Sequence, residues 1–344
     1  MSDVRIGTRP AVWTASGADA FDVQIGLTKQ AEELGLEAVF FGDRMLASVG
    51  DESGRGVYES THTELFVTLS ALSARTSRIR LGSLVMVVPF RHPVQLAKLV
   101  ASLDLLSRGR LILGVGAGWN PSEFEAMGIP REEAAARMVE GIECMRALWS
   151  GERVDYDGEH VRFRDVAIEP RPHRAGGPPV WLGSFSPIGR RIWERNEISP
   201  GVERVLARVG AHADGWAPLL YSTRVRRCID PELLGRAWEL VQLHAASAGR
   251  PPVEFVFSHW YYAIENAEDE AAARRDLGFF FPGTFEEARE TYLIGSPEEI
   301  AEKVRGLSSR LDRVDWVVLT MLGPSERQLE LLHSRVVPLL RTAV

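Results

Sequence analysis

Cysteine is nearly missing from this chain, and with it go two classes of chemistry. Cys144 and Cys228 are the two cysteines in 344 residues, far apart and without C-x-x-C spacing, so neither a disulfide framework nor a thiolate metal cage is indicated. Cys144 falls in an apolar helical pattern and reads as a buried thiol. No H-x-H stands at a strand end, so the sequence suggests no metal. Lysine is scarce too: it occurs at 29, 98 and 303 only, and the many arginines are scattered rather than clustered. With a formal net charge of −7, that distribution argues against a nucleic-acid partner. No apolar run approaches the roughly 20 residues that span a bilayer. The start, "MSDVRIGTRP", has no cationic and then apolar signal region. The expectation is a soluble, cytoplasmic protein without a membrane partner.

What the chain does have is alternation. Short β-branched runs precede longer helical patterns: "VRIG" (Val4–Gly7) before Phe21–Leu34, "AVFFG" (Ala38–Gly42) before Thr63–Ala74, "RIRLGSLVMV" (Arg78–Val87) before Pro93–Ser107, and "RLILGVG" (Arg110–Gly116) before Ala134–Ser150. "PVWLGS" (Pro179–Ser184), "ADGWAPL" (Ala213–Leu219), "EFVFSHWYYAIE" (Glu254–Glu265) and "VDWVVLT" (Val314–Thr320) complete eight strand candidates. Strand–helix alternation predicts a parallel sheet, and eight units in this length predict a closed (β/α)8 barrel in one domain, 1–344. Asn120-Pro121-Ser122-Glu123 and Ser296-Pro297-Glu298-Glu299 both read as helix starts, with a capping side chain, then Pro, then an acid. Three stretches fall outside the repeat and read as insertions: 152–172, with a hairpin signal at Asp157-Gly158; 192–205; and the aromatic 278–295, read as a lid or extra helical segment.

The segment "LILGVGAGWNPSEF" poses the sharpest question. A dinucleotide turn requires G-x-G-x-x-G and an acid at the end of the next strand. Here Gly114, Gly116 and Gly118 alternate, Trp119 stands where the third glycine belongs, and a long helical pattern follows. The dinucleotide reading fails. In a barrel, strand C-termini carry the site, where glycines let a flat ring approach and Trp119 forms a wall. The competing reading is that the glycines relieve crowding at a barrel strand.

Taken together, "FFGDR", "RIRLGSLV", "RHPVQLAKLVASLDLLSRGRLILGVGAGW..EF", "YDGEHVRF", "PVWLGSFS", "ADGW" and "GSPEEIAEKV…VDWVVL" resemble, in order and spacing, the bacterial luciferase-like superfamily of flavin- and deazaflavin-dependent oxidoreductases. The resemblance covers nearly the entire chain. It implies a (β/α)8 TIM barrel holding reduced FMN or coenzyme F-420 in its mouth, as a homodimer or homotetramer. It also implies a non-proline cis peptide at Leu84–Val85 behind the ring, with Gly116, Gly118 and Trp119 beside it. The cofactor phosphate is expected at Gly183, Ser184, Phe185 and Ser186, and Asp214 is expected to be a structural cap. No NAD(P)H fingerprint is present, so a separate flavin reductase or deazaflavin-reducing dehydrogenase is expected to deliver the reduced cofactor.

For chemistry, the resemblance points to Asp43-Arg44 at the end of the second strand, where relatives carry an acid followed by His. Arg44 is a departure: a guanidinium is no base near neutral pH, but it can stabilise an anionic flavin or an anionic substrate. An acid–base group must then come from elsewhere, with His62, Tyr58 and His92 the options nearest the mouth. Glu64 reads as a cap of the second helix. Sugar-phosphate deazaflavin dehydrogenases carry Glu where this chain has Trp119. The expected activity is therefore that of a monooxygenase using FMN reduced in trans on a small organic substrate. The alternatives are a deazaflavin-dependent dehydrogenase or reductase and a non-catalytic flavin-binding barrel.

Overall fold

A computed structural model describes residues 4–10, 17–46, 63–185, 191–223, 225–278, 281 and 283–343. The chain runs through β1 (Arg5–Arg9), α1 (Gly17–Glu33), β2 (Ala38–Phe41), α2 (Leu65–Ser73), β3 (Arg80–Val87), α3 (Pro93–Leu106) and β4 (Leu111–Gly116). It continues with α4 (Pro121–Ala126), α5 (Ala134–Trp149), a hairpin of β5 (Val154–Asp157) and β6 (Arg162–Val166), then β7 (Val180–Ser184) and α6 (Arg191–Arg195). Next come α7 (Pro200–His212), β8 (Gly215–Pro218), β9 (Tyr221–Ser222), β10 (Arg227–Cys228), α8 (Pro231–Ser247) and β11 (Glu254–Ala263). The C-terminal third closes with α9 (Ala267–Gly278), α10 (Phe285–Thr291), β12 (Leu293–Gly295), α11 (Pro297–Ser308), β13 (Trp316–Met321), α12 (Glu326–Leu331) and α13 (Val337–Ala343).

Eight of these strands form a closed parallel barrel in the order β1-β2-β3-β4-β7-β8-β11-β13, with β13 returning to β1. Each of the eight strand segments expected from alternation supplies one of them. Their inward side chains meet in an aromatic layer: Phe40 stacks on Trp181 at 5.2 Å between ring centroids, and Trp181 meets Trp316 edge-on at 5.1 Å. At the N-terminal end, Glu254 accepts from the Trp316 indole at 3.2 Å and from Arg5 at 2.7 Å. The barrel is therefore a filled core below and a concavity above, at the strand C-termini. Outward strand residues such as Val39, Leu81, Leu113 and Leu319 are buried under the helices, each worth about 1.5–3 kcal/mol of apolar transfer.

Local chemistry explains where the helices begin. Glu64 accepts from the Val67 amide at 3.0 Å, Asn120 from Ser122 at 3.1 Å, and Ser296 with Glu299 forms a reciprocal capping box. The 152–172 stretch is the antiparallel β5–β6 hairpin. The 192–205 insertion needs correction. Pro200 onward is the regular barrel helix α7, because Ser199 precedes Pro200 at the first helical position and the apolar residues Val202, Leu206 and Val209 recur at helical spacing on the buried side. In the 278–295 stretch, Phe281 is buried against Tyr292 at 5.5 Å. It lies outside the cavity lining, so it is core of this segment rather than a cover for a ring. Phe279, Phe280 and Pro282 lie outside the described residues. Among the described residues no helix is long and apolar enough to cross a membrane.

Candidate active site

A cavity of about 380 Å³ opens at the C-terminal mouth of the barrel, within the size range of small-molecule sites. Its floor is made by β3. The register of β3 on β4 shifts between Ser83 and Met86, and the Leu84–Val85 peptide within that bulge is cis, as expected. Both side chains are half-buried and face the cavity. The alternating glycines are explained here. A Cβ on Gly116 would stand 2.8 Å from Val85 Cγ2, and one on Gly183 would stand 2.9 Å from Val85 Cγ1. A Cβ on Gly114 would collide with the Ser83 carbonyl, which itself belongs to the bulge. The glycines of β4 and β7 thus make room for the β3 bulge, and through it they shape the floor.

At the end of β2 stand the two expected polar residues. Asp43 lines the cavity, and its carboxylate is engaged: Oδ2 accepts from the Val87 amide at 2.9 Å and from Arg91 Nη1 at 2.6 Å, while Oδ1 accepts from Arg91 Nη2 at 2.9 Å. The Arg91 side chain is 9% exposed and that of Asp43 is 2% exposed, so this bidentate pair is shielded from water. Burial works against the charged Arg91, but the hydrogen bond and charge of Asp43 outweigh it and raise the guanidinium pKa. Glu64 adds a contact to Arg91 at 2.9 Å. Asp43 therefore anchors the β2 end to β3. Arg44 lines the cavity with its guanidinium 5.5 Å from the Trp119 ring centroid. The backbone after Arg44 is held by Glu123 of α4, which accepts from Met45 N at 2.8 Å and Leu46 N at 3.3 Å.

Across the mouth, Gly183 and Ser184 end β7 and Phe185 follows, all lining the cavity beside Arg208 of α7. Ser184 Oγ accepts from the Trp216 indole at 2.7 Å, and buried Phe185 takes a left-handed backbone with φ of 63°. Gly118, with φ of 82°, turns the chain from β4 toward Trp119. Ser186, His62 and Tyr58 lie outside the described residues. His92 is an exposed cap of α3 that accepts from Val94 N at 3.3 Å, and it does not line the cavity. Asp214 is structural: it accepts from Val180 N at 2.8 Å and from Arg250 at 2.7 Å.

Several lining residues are absent from the sequence-level candidates. Arg9 ends β1, Thr320 lies in β13, and Ser258, His259 and Trp260 lie in β11. Tyr221 also lines the cavity and accepts from the Trp260 indole. His259 is fully buried, and desolvation pushes its pKa from near 6.5 down to about 3, so it is neutral at physiological pH. Its Nδ1 is 3.1 Å from the Trp260 carbonyl, and its Nε2 is 3.6 Å from the Cys228 thiol. Burial pushes Cys228 up to about 12 and Cys144 up to about 11, which leaves both thiols protonated. Among the described residues no group of three or more His, Cys, Asp or Glu is placed to hold a metal ion.

A family model described as luciferase-like monooxygenase matches residues 3–196. An uncharacterised protein of Mycobacterium tuberculosis is 39% identical over 152 residues, a match spanning 44% of this chain and about half, 48%, of that relative. The F420-dependent glucose-6-phosphate dehydrogenase of Nocardia farcinica is 27% identical over 305 residues, covering 77% of this chain and 86% of its own. The 4-hydroxyprotoasukamycin monooxygenase of Streptomyces nodosus subsp. asukaensis is 26% identical over 315 residues, covering 88% and 81%. In fold, the crystal structure of a monooxygenase from Streptomyces bottropensis superposes with a TM-score of 0.75 at 24% identity, over 97% of this chain and 99% of that one.

Proposed function

The chain belongs to the luciferase-like monooxygenase family, and from that premise we propose that this oxidoreductase is a monooxygenase that takes FMN, reduced by a separate reductase, and oxidises a small organic substrate. The observation that carries this reading is the charge of the mouth. Arg44 and Arg208 line the cavity, while the lining carboxylate among the described residues, Asp43, is engaged by Arg91 and the Val87 amide. Guanidinium groups lining a cavity stabilise negative charge on a reduced ring and on oxygen. Oxidising an alcohol requires a base, and His259, the imidazole lining the cavity among the described residues, is a weak one, since burial lowers its pKa to about 3 and its ring nitrogens lie 3.1 Å from the Trp260 carbonyl and 3.6 Å from the Cys228 thiol.

The residues present fit a phosphorylated tricyclic ring. Leu84 and Val85 would carry its flat apolar face, with Trp119 as a side wall. Gly183, Ser184 and Phe185 would hold the phosphate, with Arg208 supplying charge. Reduced FMN, when bound, supplies the electrons that activate dioxygen. The chain's own part is to orient the ring on the β3 bulge, exclude water and present Arg44 near the ring. The F420-dependent relative favours a second reading, a deazaflavin-dependent dehydrogenase.

Absorbance titration with FMN and with F-420 separates the two readings, followed by stopped-flow oxidation of the reduced, bound cofactor. FMN is expected to bind more tightly, and Arg208→Met is expected to weaken FMN by about 1–2 kcal/mol while leaving riboflavin, which lacks the phosphate, unchanged. Preferential F-420 binding with no oxygen-dependent turnover would move the assignment to the dehydrogenase.

A further inference from the structure

Arg208 and Arg9 stand on opposite sides of the mouth. In the closed strand order, β7 is the fourth neighbour of β1 in either direction, so the strand end carrying Gly183–Phe185 is diametrically across from the end of β1. An FMN phosphate held at the end of β7 would lie on the side of the mouth opposite Arg9. Arg9 is thus a second cationic position in the cavity lining, and its neighbours form an ordered set. Arg9 is in register with Thr320 of β13, and Thr320 is in register with Trp260 of β11, which puts the three level in one row across adjacent strands. All three line the cavity. The Arg9 guanidinium is 5.9 Å from the Trp260 ring centroid, and it lies against Gly42, where any Cβ would collide with it. Trp260 in turn is fixed by its indole donating to the Tyr221 hydroxyl, and the Tyr221 ring packs on His259 at 5.0 Å.

We propose that Arg9, Thr320 and Trp260 form the substrate-anion subsite, and that the substrate is an organic carboxylate or comparable oxyanion carried on an unsaturated or aromatic body. This rests on the reading that the cofactor phosphate is held on the β7 side. The fork of donors on Arg9 suits a planar carboxylate, the Thr320 hydroxyl adds a donor in the same row, and the Trp260 face suits a flat apolar body. Glycine at 42 keeps the fork in place, since a larger residue there would displace it.

Benzoate and its neutral counterpart benzamide are the probes. FMN-loaded protein is titrated with each while flavin absorbance is followed, and cofactor-free protein is titrated with each while tryptophan fluorescence is followed. Benzoate is expected to bind about tenfold or more tightly than benzamide, and Arg9→Gln is expected to abolish that preference. The same variant is expected to leave the FMN Kd within about twofold, because the phosphate is on the far side. Arg9→Lys is expected to keep part of the preference, and thermal melts identify any variant that fails to fold. Equal binding of benzoate and benzamide overturns the proposal, as does an Arg9→Gln variant that loses FMN affinity as strongly as benzoate affinity. Failure of FMN to bind, with the benzoate preference retained in cofactor-free protein, would instead overturn the cofactor reading and support the anion subsite.

Discussion

Gly116 on β4 and Val85 on β3 face each other so closely that a Cβ on the glycine would stand 2.8 Å from Val85 Cγ2. Gly116→Ala is therefore expected to destabilise the fold by about 1–3 kcal/mol through overpacking. Adding Val85→Ala is expected to recover part of that loss, since the methyl groups in conflict are removed. Urea unfolding of the two single variants and the double variant measures the coupling. Simple additivity would mean that the two residues do not share the space.

The buried pair of Asp43 and Arg91 makes a different prediction. Asp43→Asn removes the charge facing a shielded guanidinium and is expected to cost about 3 kcal/mol of stability, with Glu64 limiting the loss. Cofactor binding is expected to weaken as well, because the Val87 amide held by Asp43 belongs to β3 just beyond the cavity floor. A variant of unchanged stability with lost activity would give Asp43 a direct part in the chemistry instead of an anchoring one.

Arg44 separates charge stabilisation from packing. In Arg44→Met, stopped-flow oxidation of the reduced cofactor is expected to slow by about 100-fold or more with the fold intact. If the residue serves only to pack on Trp119, the melting temperature is expected to fall while the oxidation rate of folded protein stays the same.

His259 predicts a pH signature. Its folded pKa lies near 3, below the ordinary value near 6.5, so between those limits the unfolded chain binds a proton that the folded chain does not. Stability from this group is complete above about pH 6.5 and declines as pH falls toward 3. Denaturant unfolding at pH 7, 5.5 and 4.5 is expected to show a shallower decline in His259→Gln than in the parent. Equal slopes would mean that the imidazole protonates in the folded protein as readily as in the unfolded one.

Much of the framework is legible because it is periodic or local. The barrel strands could be read from alternation alone. The caps at Asn120 and Ser296 could be read because each side chain bonds an amide two or three residues away. The cis peptide at Leu84–Val85 came from family resemblance, since "LGSL" carries no local signal for it. The start of α7 at Pro200 is hard to read because the short helix α6, with buried Ile192 and Trp193, stands just ahead of it.

The site divides along the same line. Alternation, glycine placement and caps are properties of neighbouring residues, so the sequence by itself determined the barrel, its mouth and the candidacy of Trp119, while Asp43, Arg44 and Gly183–Ser186 became candidates through family resemblance. What these groups do depends on partners far away in the chain. Asp43 and Arg91 are 48 residues apart, and only folding shows that the carboxylate is occupied. Arg9, Trp260 and Thr320 come from the first strand and the last two barrel strands, and they form one row only because β13 closes against β1. Closure of the barrel is a tertiary event, driven by burial of both faces of the sheet, and no local pattern specifies which side chains it brings level.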